Sequence, residues 1–241
     1  MARPVCAIVG AGEGLGRALA ARFAKGGCDI ALLSRSETGS AAARDAAADA
    51  GAKVRFFPAD ATRPESIEQA FSDIEREVGS PEIMIYNARG DYRPMDPVQM
   101  TYGALEENFR IEVVGAFAAA KSVLAAMRTR RSGTIMFSSA TEAYRGSPTY
   151  PLYSIGKFGL RALSQSLAKA YAKDGVHVVH VRLDCTLDTA FVHGLYEEKL
   201  DTARLANVND VAESYWWTHK QPKSAWSNEI ELRPYTELWA Y

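Results

Sequence analysis

Tyr153 and Lys157 lie four residues apart in a stretch with helical spacing. On a helix they share one face, so a phenol and an ammonium meet. A phenol ordinarily ionises near pH ~10, and a neighbouring cation favours the phenolate and can lower that value by ~1–3 units. A tyrosine so placed can exchange a proton with an alcohol or carbonyl oxygen near neutral pH. The same spacing also serves a packing tyrosine and a solvated lysine, and the pair alone does not choose between them. A second constellation is Gly10, Gly12, Gly14 and Gly16, which follow the apolar run 5–9 and precede the helical pattern 17–25. A glycine turn in that position lets a pyrophosphate approach the backbone, and the helix start offers it free N–H groups and a positive dipole end.

Both sets need a scaffold, and the chain supplies an alternating one. Apolar runs at 5–9, 29–34, 53–57, 82–86, 133–137 and 176–183 read as strands buried on both faces, with 229–232 as a seventh. Helical patterns at 17–25, 38–50, 62–79 and 105–130, and one running from Tyr153 to about 174, separate them. The segment 38–50 reads as a surface helix, Thr62 as the start of a capping box for the next, and 105–130 as one long helix. Such alternation predicts an α/β fold: a doubly wound, mostly parallel sheet of about seven strands with helices on both faces. No linker or repeat divides the 241 residues, so a single domain is expected, with a cofactor part at about 1–135 and a catalytic and substrate part at about 136–241. The second strand ends in Ser34-Arg35. Many dinucleotide folds carry an acid there for the ribose 2′-hydroxyl; a neutral residue followed by arginine favours NADP, with NAD as second choice. Glu13, in the glycine turn, argues mildly the other way.

Composition narrows the partners. The formal net charge is -1, so no basic field exists to hold nucleic acid or an anionic membrane, and a small-molecule partner is expected. Cys6, Cys28 and Cys185 are widely spaced and fit neither a disulfide framework nor a metal site. No apolar run reaches the ~20 residues of a membrane span, and a strand pattern begins almost at the N-terminus without a signal layout. The expected location is cytoplasmic.

Taken together, these motifs resemble the short-chain dehydrogenase/reductase family over nearly the whole chain, which implies a Rossmann fold. Gly10, Gly12, Gly14, Leu15 and Gly16 match its cofactor turn, with Val9 where threonine is usual. By resemblance, Asp60 with Ala61 holds the adenine amino group, and Asn87-Ala88 begins the motif after the fourth strand, with Arg89 in place of its glycine. Ser139, Tyr153 and Lys157 match the catalytic serine, tyrosine and lysine. Lys157 is then expected to lower the pKa of Tyr153 and to bond the nicotinamide ribose. The family's fourth catalytic residue is an asparagine whose backbone carbonyl holds a relay water; Glu112 stands in its place, and Asn108 lies one turn earlier. The usual Pro-Gly after the sixth strand is also missing. Leu187 is expected to bond the nicotinamide amide and Thr189 to lie near the pyrophosphate.

The resemblance implies hydride transfer between a nicotinamide and a carbonyl or alcohol substrate, in a homodimer or homotetramer. A sensor or scaffold that binds dinucleotide with little turnover is the rival expectation, motivated by Glu112, Arg89 and the missing Pro-Gly. An epimerase or dehydratase is a third. His177 and His180 are read as structural, His193 as a residue of the substrate loop 191–207. The dense tryptophans Trp216, Trp217, Trp226 and Trp239 are read as core or subunit contacts.

Overall fold

The computed structural model describes residues 3–195 and 200–236. In chain order its principal elements are β1 (Val5–Val9), α1 (Leu15–Lys25), β2 (Asp29–Ser34), α2 (Ala41–Asp49), β3 (Val54–Pro58), α3 (Pro64–Glu77) and β4 (Ile83–Tyr86). There follow α4 (Tyr102–Phe109), α5 (Gly115–Thr129), β5 (Gly133–Ala140), α6 (Pro151–Tyr171), β6 (Val176–Leu183), β7 (Thr186–Asp188), α7 (Ala190–His193), β8 (Leu205–Asn207), α8 (Val208–His219) and β9 (Glu229–Leu232).

Seven strands form one sheet in the order β3-β2-β1-β4-β5-β6-β9, and every pairing is parallel. Successive strand residues point to opposite faces, and the core divides accordingly. Val5, Ala7, Val9, Met84, Tyr86, Ile135 and Phe137 pack with Phe71 and Ile74 of α3, with α5 and with α6. Cys6, Ile8, Ile30, Leu32, Ile85 and Val181 pack with α1, α2 and α8 on the other face. Two buried faces explain why the strands read as unbroken apolar runs. Strand order reverses between β1 and β4, which opens a crevice at their C-terminal ends.

Several expectations change in detail. The helix at 38–50 is not merely a surface helix, since Ala43 and Ala47 are fully buried. Arg63, not Thr62, sits at the N-cap of α3, and Thr62 donates both its N–H and its hydroxyl to Asp60 Oδ1. The stretch 105–130 is two α-helices joined by a π-helical turn at Arg110–Val114. A second, two-stranded parallel sheet, β7 with β8, was not expected. Trp239 lies outside the described residues.

Candidate active site

The crevice is walled by chain ends. Gly10 closes β1 with φ +83, and a Cβ there would lie 2.4 Å from Ala88 N, so the close approach of the two loops requires glycine. Asn87 Nδ2 donates to Gly10 O at 3.0 Å and ties β4 to the same turn. Thr189 reaches the turn from beyond β7, with Cγ2 3.0 Å from where a Cβ on Gly14 would stand. The cavity has a volume of about 1110 Å³ and is lined by all the cofactor positions read from the sequence. That is room for a dinucleotide and a small substrate.

At one end stand Arg35, Asp60 and Ala61. Ser34 Oγ bonds Ser36 O at 2.9 Å and Ser40 Oγ at 2.7 Å, so Ser34 shapes the turn that presents Arg35. Thr62 N–H and Oγ1 hold the Asp60 carboxyl below the usual range, and Arg35 and Arg63 act in the same direction. Arg17 also lines this crevice and was missed in the sequence. Leu187 lines it beside β7.

At the other end are Ser139, Tyr153 and Lys157. Pro151 begins α6, whose first turns bury Tyr153 and Lys157. Ser139 lies near the end of β5, is 3% exposed, and its Oγ has no hydrogen-bond partner among the described residues. An unpaired buried hydroxyl costs about 1–3 kcal/mol. Such a cost fits a group kept for a substrate oxygen. Its neighbour Ser138 is engaged twice, Oγ accepting from Tyr215 at 2.8 Å and the carbonyl from Lys157 Nζ at 3.2 Å.

Glu112 is fully buried. Its Oε2 lies 2.8 Å from Lys157 Nζ, an ion pair without the alignment of a hydrogen bond, and its Oε1 accepts from Gly90 N at 2.7 Å. A Cβ on Gly156 would fall 2.6 Å from Glu112 Cγ, so glycine on α6 is what admits the carboxylate. The π turn carries Glu112, and Tyr86 OH donates to the carbonyl of Ile111 within it. Asn108 is occupied elsewhere: Nδ2 donates to Leu152 O at 2.6 Å and Oδ1 accepts from Asp91 N at 3.2 Å.

The pairing reverses one expectation. Tyr153 was expected to have a lowered pKa, and its phenol is instead raised well above the usual value. Burial is the chief cause, then the carboxylates of Glu112 and Glu142, while Arg89 pulls the other way. Lys157 does lie near, its Nζ 5.1 Å from the Tyr153 ring centroid, but its charge faces Glu112.

The other singled-out residues lie outside the reacting end. His177 Nε2 donates to Ser227 O, 2.9 Å away, and the ring stacks on Trp226. His180 is buried, and His193 pairs with Asp188 at 2.8 Å. Trp216 packs edge-on against Phe23, whereas Trp217 is exposed. Among the described residues no group of His, Cys, Asp and Glu could hold a metal ion, and no helix is long and apolar enough to cross a membrane.

A parallel doubly wound sheet with a glycine turn at its switch point defines a dinucleotide-binding protein of the Rossmann type. Residues 4–200 match the family model described as short chain dehydrogenase, and the chain belongs to that family. It is 26% identical over 215 residues to a 3-oxoacyl-[acyl-carrier-protein] reductase of Bos taurus, covering 87% of this chain and 88% of the relative. It is 31% identical over 180 residues to 2-(S)-hydroxypropyl-CoM dehydrogenase 3 of Xanthobacter autotrophicus, covering 72% and 68%. The solved alcohol dehydrogenase of Thermococcus sibiricus, complexed with 5-hydroxy-NADP, superposes with a TM-score of 0.86 over 99% of both chains at 22% identity, a likeness of fold.

Proposed function

We propose that this chain is an NADP-dependent reductase or dehydrogenase that interconverts a carbonyl and an alcohol. The observation that carries the reading is the buried, unpartnered Ser139 hydroxyl beside Tyr153 and Lys157 at the end of a glycine-walled crevice. Gly10, Gly12, Gly14, Leu15 and Gly16 would cradle the pyrophosphate with Thr189. Arg35 would meet the 2′-phosphate, Asp60 and Ala61 the adenine, and Asn87, Ala88, Lys157 and Leu187 the nicotinamide half. When bound, the nicotinamide supplies or accepts the hydride.

The chain's own part is to hold the substrate and move a proton. Ser139 Oγ–H donates to the substrate oxygen. Tyr153 gives its phenolic proton to that oxygen in reduction and takes it back in oxidation. The phenol stays protonated through neutral pH, its proton held by burial and by the nearby carboxylates of Glu112 and Glu142. Glu112 holds the Lys157 ammonium directly, in the place where the family uses an asparagine and a water. NADPH and NADH would be titrated by fluorescence, and a panel of ketones and aldehydes screened for cofactor oxidation. Tight NADPH binding with turnover is the expected result.

The Glu112–Lys157 ion pair also carries a second reading, a dinucleotide-binding sensor in which the tyrosine is not activated. Tight binding without turnover across the panel would select it. NAD as the cofactor is the alternative that preferential NADH binding would select.

A further inference from the structure

Arg89 occupies the position where the family motif has glycine, and it lies at the reacting end of the crevice. Its guanidinium carbon is 4.6 Å from the ring centroid of Phe191 on α7 and 5.6 Å from that of Tyr92. Aromatic faces fix a guanidinium in place while leaving its N–H edge and net charge available. Tyr92 in turn stacks on Tyr150 at 4.4 Å and meets Tyr153 edge-on at 5.0 Å. The ring that steadies Arg89 therefore also touches the proposed proton donor, and Arg89 is close enough to favour the phenolate of Tyr153.

The neighbouring charges are already matched. Lys157 faces Glu112 at 2.8 Å. Arg93 donates to both oxygens of Asp91, to Oδ1 at 2.9 Å and to Oδ2 at 2.8 and 2.6 Å. Burial raises the Glu142 carboxyl, which disfavours its charged form, while Lys157 and Arg145 act the other way. Among the described residues no carboxylate stands within ion-pairing distance of Arg89, although ion pairs occupy most other arginines of the fold. A planar guanidinium with an open edge binds a carboxylate through two parallel hydrogen bonds. Phe191, Leu195 and Tyr92 supply apolar walls around it.

The geometry points to Arg89 as the residue that holds the carboxylate of an anionic carbonyl substrate, an oxoacid with an apolar body. This rests on the reductase reading for its carbonyl but not for its charge. The same chemistry has a second source, the cofactor's own pyrophosphate, because Phe191 lies two residues beyond Thr189 and Thr189 touches the glycine turn.

The test uses the full chain saturated with NADP and reads binding by calorimetry. The probes are 2-oxoacids from pyruvate to phenylpyruvate, each beside its uncharged methyl ester. At least one acid should bind about tenfold or more tightly than its ester, the effect of one charge-assisted contact. Arg89→Met should abolish that preference and Arg89→Lys keep part of it, with the Kd for NADPH unchanged in both. If no acid outbinds its ester, or if Arg89→Met weakens NADPH instead, the inference is overturned. Since the readout does not need turnover, selective acid binding with no NADPH oxidation would retain Arg89's role while removing the reductase reading.

Discussion

Glu112 Oε2 and Lys157 Nζ stand 2.8 Å apart with both side chains buried. The ammonium that would otherwise favour the Tyr153 phenolate is matched by a carboxylate, and that carboxylate adds to burial in pushing the phenol up. The groups that face Tyr153 are Glu112 from the π turn, Glu142 from the segment after β5, Arg89 from the loop after β4 and Lys157 from its own helix.

Glu112→Gln therefore has two expected effects. Removing the carboxylate lowers the Tyr153 pKa, so the alkaline fall in the reduction rate moves to lower pH by ~1–3 units, read from kcat/KM against pH. An unmoved limb would separate Glu112 from the tyrosine. The same variant leaves a buried ammonium without its partner, a loss of about 3–5 kcal/mol. Glu112→Gln with Lys157→Met should recover much of that stability in urea unfolding while remaining inactive.

Arg35 is the exposed cation at the adenine end of the crevice. A hydrogen bond to a charged group contributes about 1.5–3 kcal/mol. Arg35→Ala should accordingly raise the Kd for NADPH by about tenfold or more and leave that for NADH nearly unchanged. Equal losses for both cofactors would remove Arg35 from 2′-phosphate recognition.

Stability should fall on mild acidification. Burial pushes His180 and His219 down to about 4, and His177 in the same direction. Unfolded imidazoles take up protons from pH ~6.5, while the folded ones resist until about pH 4. Stability conferred by the neutral rings is thus complete above ~6.5 and is lost as pH falls toward 4, on the order of 3 kcal/mol for His180. Glu229, held down to about 2 chiefly by its hydrogen bond with Arg161, stabilises the fold at neutral pH and loses that contribution only as pH falls below about 4.5 toward 2. Urea midpoints at pH 7 and pH 5 should differ, and His180→Gln should reduce the difference; flat midpoints would show that the rings protonate without cost.

An apolar face remains uncovered on the paired helices: Phe109, Phe117, Ile155 and Phe158 are exposed on α4, α5 and α6. Burial of such side chains against a second copy predicts a dimer or tetramer. Sedimentation at micromolar concentration should give a multiple of the chain mass, and Phe158→Glu should shift it downward. A monomer for the unaltered chain would contradict this.

The sheet was legible because its strands are buried on both faces, so each appears as an uninterrupted apolar run between helical patterns. The two ends of the crevice were legible because their residues close strands or open helices, which fixes their place from sequence order alone. The π turn was not, because Arg110–Val114 keeps the same apolar spacing as the helices on either side. Nor was the β7–β8 pair, since three-residue strands leave too short a pattern. The Glu112–Lys157 contact joins side chains 45 positions apart. Its one local trace is Gly156, the glycine on α6 that makes room for the carboxylate. Thr62 was misread as a cap because Asp60, two residues earlier, captures its hydroxyl.

The most direct measurement is turnover by Tyr153→Phe, which removes the phenolic proton and keeps the ring. With a carbonyl substrate that the unaltered chain reduces, the variant should bind NADPH with unchanged Kd and lose about 10²–10⁴ in kcat. An unchanged kcat would contradict Tyr153 as the proton donor and, with it, the proposed chemistry.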